Sequence, residues 1–493
     1  MQRFFDQGLT LVFGFNHEEA IRSFQRAAEL DPQAAMPYWG IALALGPNIN
    51  MGVDPAAEKA AYEAVQKARA LAAKAPEHER AYIEALVKRY SNDPKADLKK
   101  LAVDYKNAMG ELVKRYPEDL DAATLYAEAM MDLRPWKLWT LDGKPAEGTE
   151  EIVAVLESVL RRNPQHPGAN HYYIHAVEAS RHPERALASA KRLETLVPAA
   201  GHLVHMPAHI YMRTGDYRAA ARSNEVAAEA DREYIQTYRV EGMYPLMYYG
   251  HNLQFLAAAA AMAGKFAEAK RAAEQLVEVI PPGMDPFPLV EYFSQWPIFM
   301  ELRFHRWGEI LSAPAPRWKT PITTAVEHFA RGMAYAGTGK PAQAEAERNA
   351  LSAALKDVPP DAKVDQNYAA SLLDLAGLVL GARIAAARGD RKKAIEHWRK
   401  AVEANDRQAY SEPPEWYYPV RESLGGALLL DGQYTEAEKV FRADLERNPR
   451  NGRSLFGLWE SLKRQGKTTA AEWVRWEFEA AWKSDVQLRV EEL

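Results

Sequence analysis

The sequence predicts an all-α protein made of helix pairs repeated along the chain. Three observations carry this. Small residues and one aromatic recur at fixed intervals, glycine-centred turns separate segments of helical apolar periodicity, and no stretch alternates apolar and polar residues between hairpin signals. The balance of 47% hydrophobic and 26% charged residues is that of an ordinary globular chain, so a packed core is expected rather than disorder or a fibre.

The first pair shows the logic. Gly8, Ala20 and Ala27 are small enough to let two helices approach closely, Phe24 fills the groove between them, and Pro32 ends the second helix. The spacing returns with Ala186, Ala190, Leu193 and Pro198 after Pro167, and with Ala208, Tyr211, Ala220 and Ala227 after Gly201. It returns again with Ala257, Ala269, Ala273 and Pro281, with Gly332, Tyr335 and Ala344, with Ala382, Ala394, Trp398 and Ala401, and with Gly425, Ala437, Phe441 and Pro449. Turn signals lie inside these pairs at Thr214-Gly215-Asp216, Ala263-Gly264-Lys265, Arg388-Gly389-Asp390 and Asp431-Gly432-Gln433.

On these residues the chain resembles the tetratricopeptide repeat family, whose unit of about 34 residues is a helix–turn–helix. The resemblance implies a right-handed superhelix, an α-solenoid of about twelve helix pairs with a concave inner wall. It divides the chain into N-terminal repeats with long insertions (1–164), histidine-rich repeats (165–290) and C-terminal repeats (291–493). Departures from the pattern are expected as loops after Leu45, after Leu133 and over Asp231–Tyr249, the last a candidate lid. Pro359-Pro360 and Ser411–Pro414 interrupt the final third. The run from Glu412 to Glu422 would either close the tube or cap a break between repeats, and the tryptophan loop Arg134–Trp139 poses the same choice.

Charge and composition exclude several functions. With 62 basic and 67 acidic residues the net charge is −5, so there is no basic excess to hold nucleic acid. The absence of cysteine removes disulfides, thiolate zinc sites, iron–sulfur clusters and thiol nucleophiles. No continuous apolar run approaches the ~20 residues of a membrane span, so no membrane insertion is expected. No leader is visible at Met1-Gln2-Arg3, which reads as cytoplasmic for the chain as it stands, or periplasmic or secreted if a leader was trimmed. Gly466-Lys467-Thr468 echoes a phosphate loop, but Ser461 stands where the first glycine belongs and no strand precedes it.

The histidines mark the site. Eight of the 13 lie between His166 and His251, where even spacing would place roughly two. His171 and His175 are fifth and ninth in the repeat that starts at Pro167; His205 and His209 are fifth and ninth in the repeat that starts at Gly201. His202 and His251 are second in theirs, and Glu178 is twelfth in its own. Offsets of three and four share one helix face, and the resemblance implies that this stripe lines the groove. Rings on neighbouring helices, with axes about 8–10 Å apart, can reach one ion through bonds near 2.0–2.1 Å. The expected ligands are therefore His171, His175, His205 and His209, with His251 and His202 in support. Pro207, between His205 and His209, either kinks this helix or restarts it.

Imidazoles without thiolate suit one or two transition-metal ions, copper or iron ahead of zinc. The expected function is a metal-dependent oxidoreductase acting on a small molecule, aromatic or carboxylate. A zinc hydrolase is the close variant, with Glu178 or Glu241 as general base. Arg213 and Arg303 would face inward and either clamp a substrate carboxylate or pair with an acid. The alternative from another class is a non-enzymatic scaffold that takes a protein or peptide in the groove through a polar histidine cluster.

Overall fold

The computed structural model describes residues 1–484 and 486–493. Among them 26 α-helices follow one another, most of them packed against the next along the chain, from Gln2–Phe13 with His17–Leu30 to Gly452–Arg464 with Thr468–Ala481. The fold is of the tetratricopeptide type, and the packing shows why. Phe24 is fully buried between the two glycines sixteen residues on either side, Gly8 and Gly40, where an added Cβ would collide with its ring. Phe441 repeats the arrangement between Gly425 and Gly457. One aromatic thus wedges three successive helices together, and the small residues make the room.

Helix starts are set by capping side chains. Asn16, Asp54, Asp97, Asp119, Asp390 and Asn451 each accept a bond from the first turn that follows, and Thr320 and Thr323 form a reciprocal box. The turn glycines predicted from sequence adopt left-handed backbone. Gly215 needs it twice over, with φ 81° and the Pro449 carbonyl where a Cβ would sit.

Two compact units result. The first comprises Met1–Ile210 and Glu229–Arg239, and the second Tyr211–Ala228 and Val240–Leu493. In the first, Trp39, Tyr105, Tyr172, Phe15 and Phe24 are fully buried. In the second, the run Trp416-Tyr417-Tyr418 is core rather than linker. Tyr417 stacks on Phe299 at 5.2 Å between ring centroids, and Trp416 packs on Phe329 at 5.7 Å.

Three expectations are corrected. The loop expected over Asp231–Tyr249 is largely helical: Tyr217–Tyr238 continues without a breaker, and Pro245–Tyr249 forms a wide turn leading into Gly250–Met262. The chain turns only where Arg239 and Gly242 take positive φ. A two-stranded ladder, Lys363–Val364 with Asn367–Tyr368, interrupts the helices, too short to show an alternating pattern. One helix, Ala369–Ala387, has the length and hydropathy of a membrane span. Asp374 and Arg383 break its apolar run in the sequence, and most of its apolar window is buried against the rest of the chain.

Candidate metal centre

The helix Pro167–Val177 is buried at every position from Gly168 to Val177, so His171 and His175 lie inside the first unit rather than on an open wall. The following segment reaches the same place in two pieces. Gly201–His205 ends, Met206 bridges, and a new helix starts at Pro207, which suits a first turn because it has no amide to donate. This settles the role of Pro207 as a restart. Gly201 is required for a separate reason: the carboxylate of Asp231 occupies the space a Cβ would take.

Five imidazoles converge here. His171, His175, His202, His205 and His209 are each 5% exposed or less. Ring centroids lie 4.9 Å apart for His171–His175 and His171–His202, 5.3 Å for His175–His209 and 4.8 Å for His205–His209. The Nε2 atoms of His171 and His202 are 3.1 Å apart, and those of His205 and His209 are 2.8 Å apart. Two nitrogens each ~2.0–2.1 Å from one ion stand about 3.3 Å apart at a tetrahedral angle and about 2.9 Å at a right angle.

What orients each ring is as informative as its position. His171 Nδ1 donates to the Phe13 carbonyl at 2.5 Å. His175 Nδ1 and His209 Nδ1 donate to the two oxygens of Glu178 at 2.7 and 2.5 Å. With Nδ1 carrying the proton in all three, each Nε2 presents a lone pair. The His175 Nε2 is buried and meets no hydrogen-bond partner among the described residues. A carboxylate or carbonyl behind an imidazole is the arrangement that fixes ligand tautomers around metals. Donor atoms of His171, His175 and His202 lie within 4.8 Å of one another, as do those of His175, Glu178 and His209.

Electrostatics agree. Burial, then the neighbouring His175, push the His171 imidazole well below its ordinary value; burial also lowers His175, although Glu178 opposes it. Burial would raise the Glu178 carboxyl, but His209 and His175 hold it below the usual carboxylate range. His171 and His175 are thus held toward the neutral form beside one carboxylate, the charge state a cation requires of its ligands.

The remaining expected residues have surroundings of their own. Glu178 has both oxygens committed to imidazoles, so its geometry is that of an orienting group rather than a base facing substrate. Glu241 is exposed on the second unit. Arg213 lies over the Tyr410 ring at 5.6 Å, and Arg303 makes a buried two-pronged ion pair with Glu422. His251 belongs to the second unit, its Nδ1 3.3 Å from Gln254 Oε1 in its own helix. His166 caps its helix through Ala169 N, and His182 is exposed beside Glu184. Asn224 is fully buried and donates to Ala220 O at 2.8 Å.

Sequence reading missed the first-unit residues that enclose the rings. Phe15, with φ 57°, sets its ring 4.6 Å from His171 and 5.5 Å from His202. Trp136 stands edge-on to His175 at 5.7 Å, and Trp139 Nε1 donates to Ala176 O at 2.7 Å, tying the tryptophan loop to the helix that carries the ligands. No sequence spacing links positions so far apart.

No family model and no curated protein matches the chain. Among solved structures it is similar to yeast Tom70, at 11% identity over 96% of each chain with a TM-score of 0.36. It is also similar to a human IFIT1 dimer with PPP-AAAA, at 15% identity over 94% of this chain and 86% of that one, TM-score 0.35. A third is the P58(IPK) TPR domain, at 14% identity over 88% and 98%, TM-score 0.22. Likeness at this level carries no argument about this chain; its architecture rests on its own helices.

Proposed function

We propose that the protein is a metalloprotein whose first unit holds a transition-metal centre on His171, His175, His202, His205 and His209. The observation that carries this is the anchoring of Nδ1 on Phe13 O and Glu178, which gives the Nε2 of His171 and His175 the acceptor form while donor atoms of His171, His175 and His202 lie within 4.8 Å of one another. A metal-free network would instead hold the His171–His202 and His205–His209 Nε2 pairs through shared protons and leave the buried His175 Nε2 without a donor. Imidazole donors accept copper, iron and zinc alike; copper stands first because it tops the affinity order for nitrogen sites, and iron is the other redox-active choice. The spacing of the rings accommodates one ion or two.

On this reading the activity is that of an oxidoreductase on a small molecule. A bound copper or iron would supply one-electron chemistry. The chain's own residues hold the rings, fix their tautomers and exclude water through Phe15 and Trp136. Metal analysis of protein grown in replete medium tests the proposal. About one or two equivalents of copper or iron, lost together in His171→Ala and His205→Ala while helicity persists, are expected. Less than ~0.2 equivalents with no uptake on titration would leave the scaffold reading, a groove for a protein or peptide. Zinc alone, with no visible absorption and no oxygen consumption, would favour the hydrolase.

A further inference from the structure

The second unit holds a piece of its own chain against its helices. After the helix Thr468–Ala481 the chain crosses to the turn at Gly264, where Ser484 Oγ donates to the Gly264 carbonyl and Lys265 Nζ to the Lys483 carbonyl. It then runs back through Arg489, which is extended, into a short 3-10 turn at Val490–Glu492. Leu488, Val490 and Leu493 are buried, whereas Gln487, Arg489 and Glu491 are exposed. The segment thus lays one side on protein and turns the other to water, so the ground beneath it is open to solvent once it lifts.

That ground is built by four helices. Arg303 ends Trp296–Arg303, Arg383 lies on Ala369–Ala387, Gly426 on Arg421–Leu430 and Arg453 on Gly452–Arg464. Gly426 makes the room, since a Cβ there would come 2.7 Å from Leu493 Cβ and 3.4 Å from Val490 O. The polar contacts go to main chain. Arg453 Nη1 donates to Glu492 O at 2.7 Å, and Arg383 Nη2 donates to Leu493 O at 3.0 Å. Arg453 Nη2 donates to Arg303 O at 2.8 Å, which holds the guanidinium in place. Glu492 spends its carboxylate on Arg489 within the segment itself. Main-chain bonds with apolar anchors at set intervals are how a groove takes a peptide, whereas a repeat array is held together by packing between neighbouring helices.

The charge balance selects the kind of peptide. Three guanidiniums, of Arg303, Arg383 and Arg453, stand against one buried carboxylate, Glu422, which pairs with Arg303. Each of the three keeps a buried Nε with no hydrogen-bond partner among the described residues. His305 feels the same excess: burial, then Arg383, Arg453 and Arg303, push its imidazole well below the ordinary value. The segment answers this field with two carbonyl oxygens, and a ligand with uncommitted carboxylates answers it better. We propose that residues 488–493 are a self-ligand, a strap that fills in cis a groove built for an acidic peptide with apolar residues three apart, and that such a peptide displaces it. The proposal concerns the second unit alone and does not depend on the metal centre.

Fluorescence anisotropy of a labelled synthetic peptide of residues 486–493, titrated with the full chain, tests it. The parent chain should bind weakly, because its own strap competes at a local concentration on the order of millimolar. Val490→Lys with Leu493→Lys removes two anchors and sets ammonium against guanidinium, so the groove is freed and the peptide should bind at least about tenfold more tightly. Adding Gly426→Leu fills the space of Leu493 and should abolish that binding, with circular dichroism unchanged. A peptide carrying Glu491→Lys and Glu492→Lys should bind at least about tenfold more weakly than the parent peptide. The chain has no cysteine, so Glu491→Cys takes a single spin label on the exposed side of the strap, and peptide at about 10 mM should mobilise it. No peptide binding at about 1 mM by the folded strap variant, or a label that the peptide leaves unmoved, would overturn the proposal and make the segment a fixed part of the fold. So would equal binding of the lysine-bearing peptide.

Discussion

Replacing Glu178 by Gln separates the metal reading from a purely structural one. The carboxylate accepts from His175 Nδ1 and His209 Nδ1 at 2.7 and 2.5 Å. Glutamine offers one oxygen and one NH2. The oxygen can keep one imidazole as it is, but the NH2 faces the other Nδ1 donor to donor. That ring must move its proton to Nε2, so its lone pair leaves the site and one metal ligand is lost. Changes to groups behind metal ligands cost 10–100-fold in affinity, about 1.4–2.7 kcal/mol. In the metal-free protein the effects nearly offset. Each charge-assisted bond contributes about 1.5–3 kcal/mol, whereas a buried carboxylate carries a desolvation penalty of several kcal/mol that the amide avoids. The expected result is a copper or zinc affinity 10–100-fold weaker in a chelator-competition titration, with a small change in apo Tm. An affinity within about twofold of the parent protein, with helicity intact, would refute the tautomer argument.

Three further outcomes follow from the packing and charge of the fold. Gly8→Ala drives a methyl into the Phe24 ring and should destabilise by about 1–3 kcal/mol, read as a lower urea midpoint with unchanged m-value. Arg303→Met leaves the buried Glu422 carboxylate beside the Asn451 amide without its counter-charge and should cost about 3–5 kcal/mol; adding Glu422→Leu should recover much of it, as a double-mutant cycle will show. Burial, and then Asp365, push the Glu415 carboxyl up to about 8. The folded state therefore keeps a proton that the unfolded chain has released, so stability falls as pH rises from about 4.5 toward 8, by at most ~1.4 kcal/mol per pH unit. Glu415→Gln should remove that slope in pH-dependent denaturant melts.

The helix pairs and the register of the histidines were legible in the amino-acid order because both depend on neighbours in the chain. A 3.6-residue period and a glycine turn act within one or two turns of helix, so Phe24, Gly8 and Gly215 could be read directly. The helical path of residues 231–238 was not legible, because loop and helix differ there by propensity too weak to decide without packing.

Tertiary structure alone decided which nitrogen of His171, His175 and His209 carries the proton. The Phe13 carbonyl meets His171 across 158 positions of sequence, and Glu178 reaches His209 across 31. The burial of the five imidazoles arises in the same way. Periodicity records what one element repeats along its own axis; a lone pair's direction depends on whichever atom a distant element brings against the ring, and no local pattern encodes that.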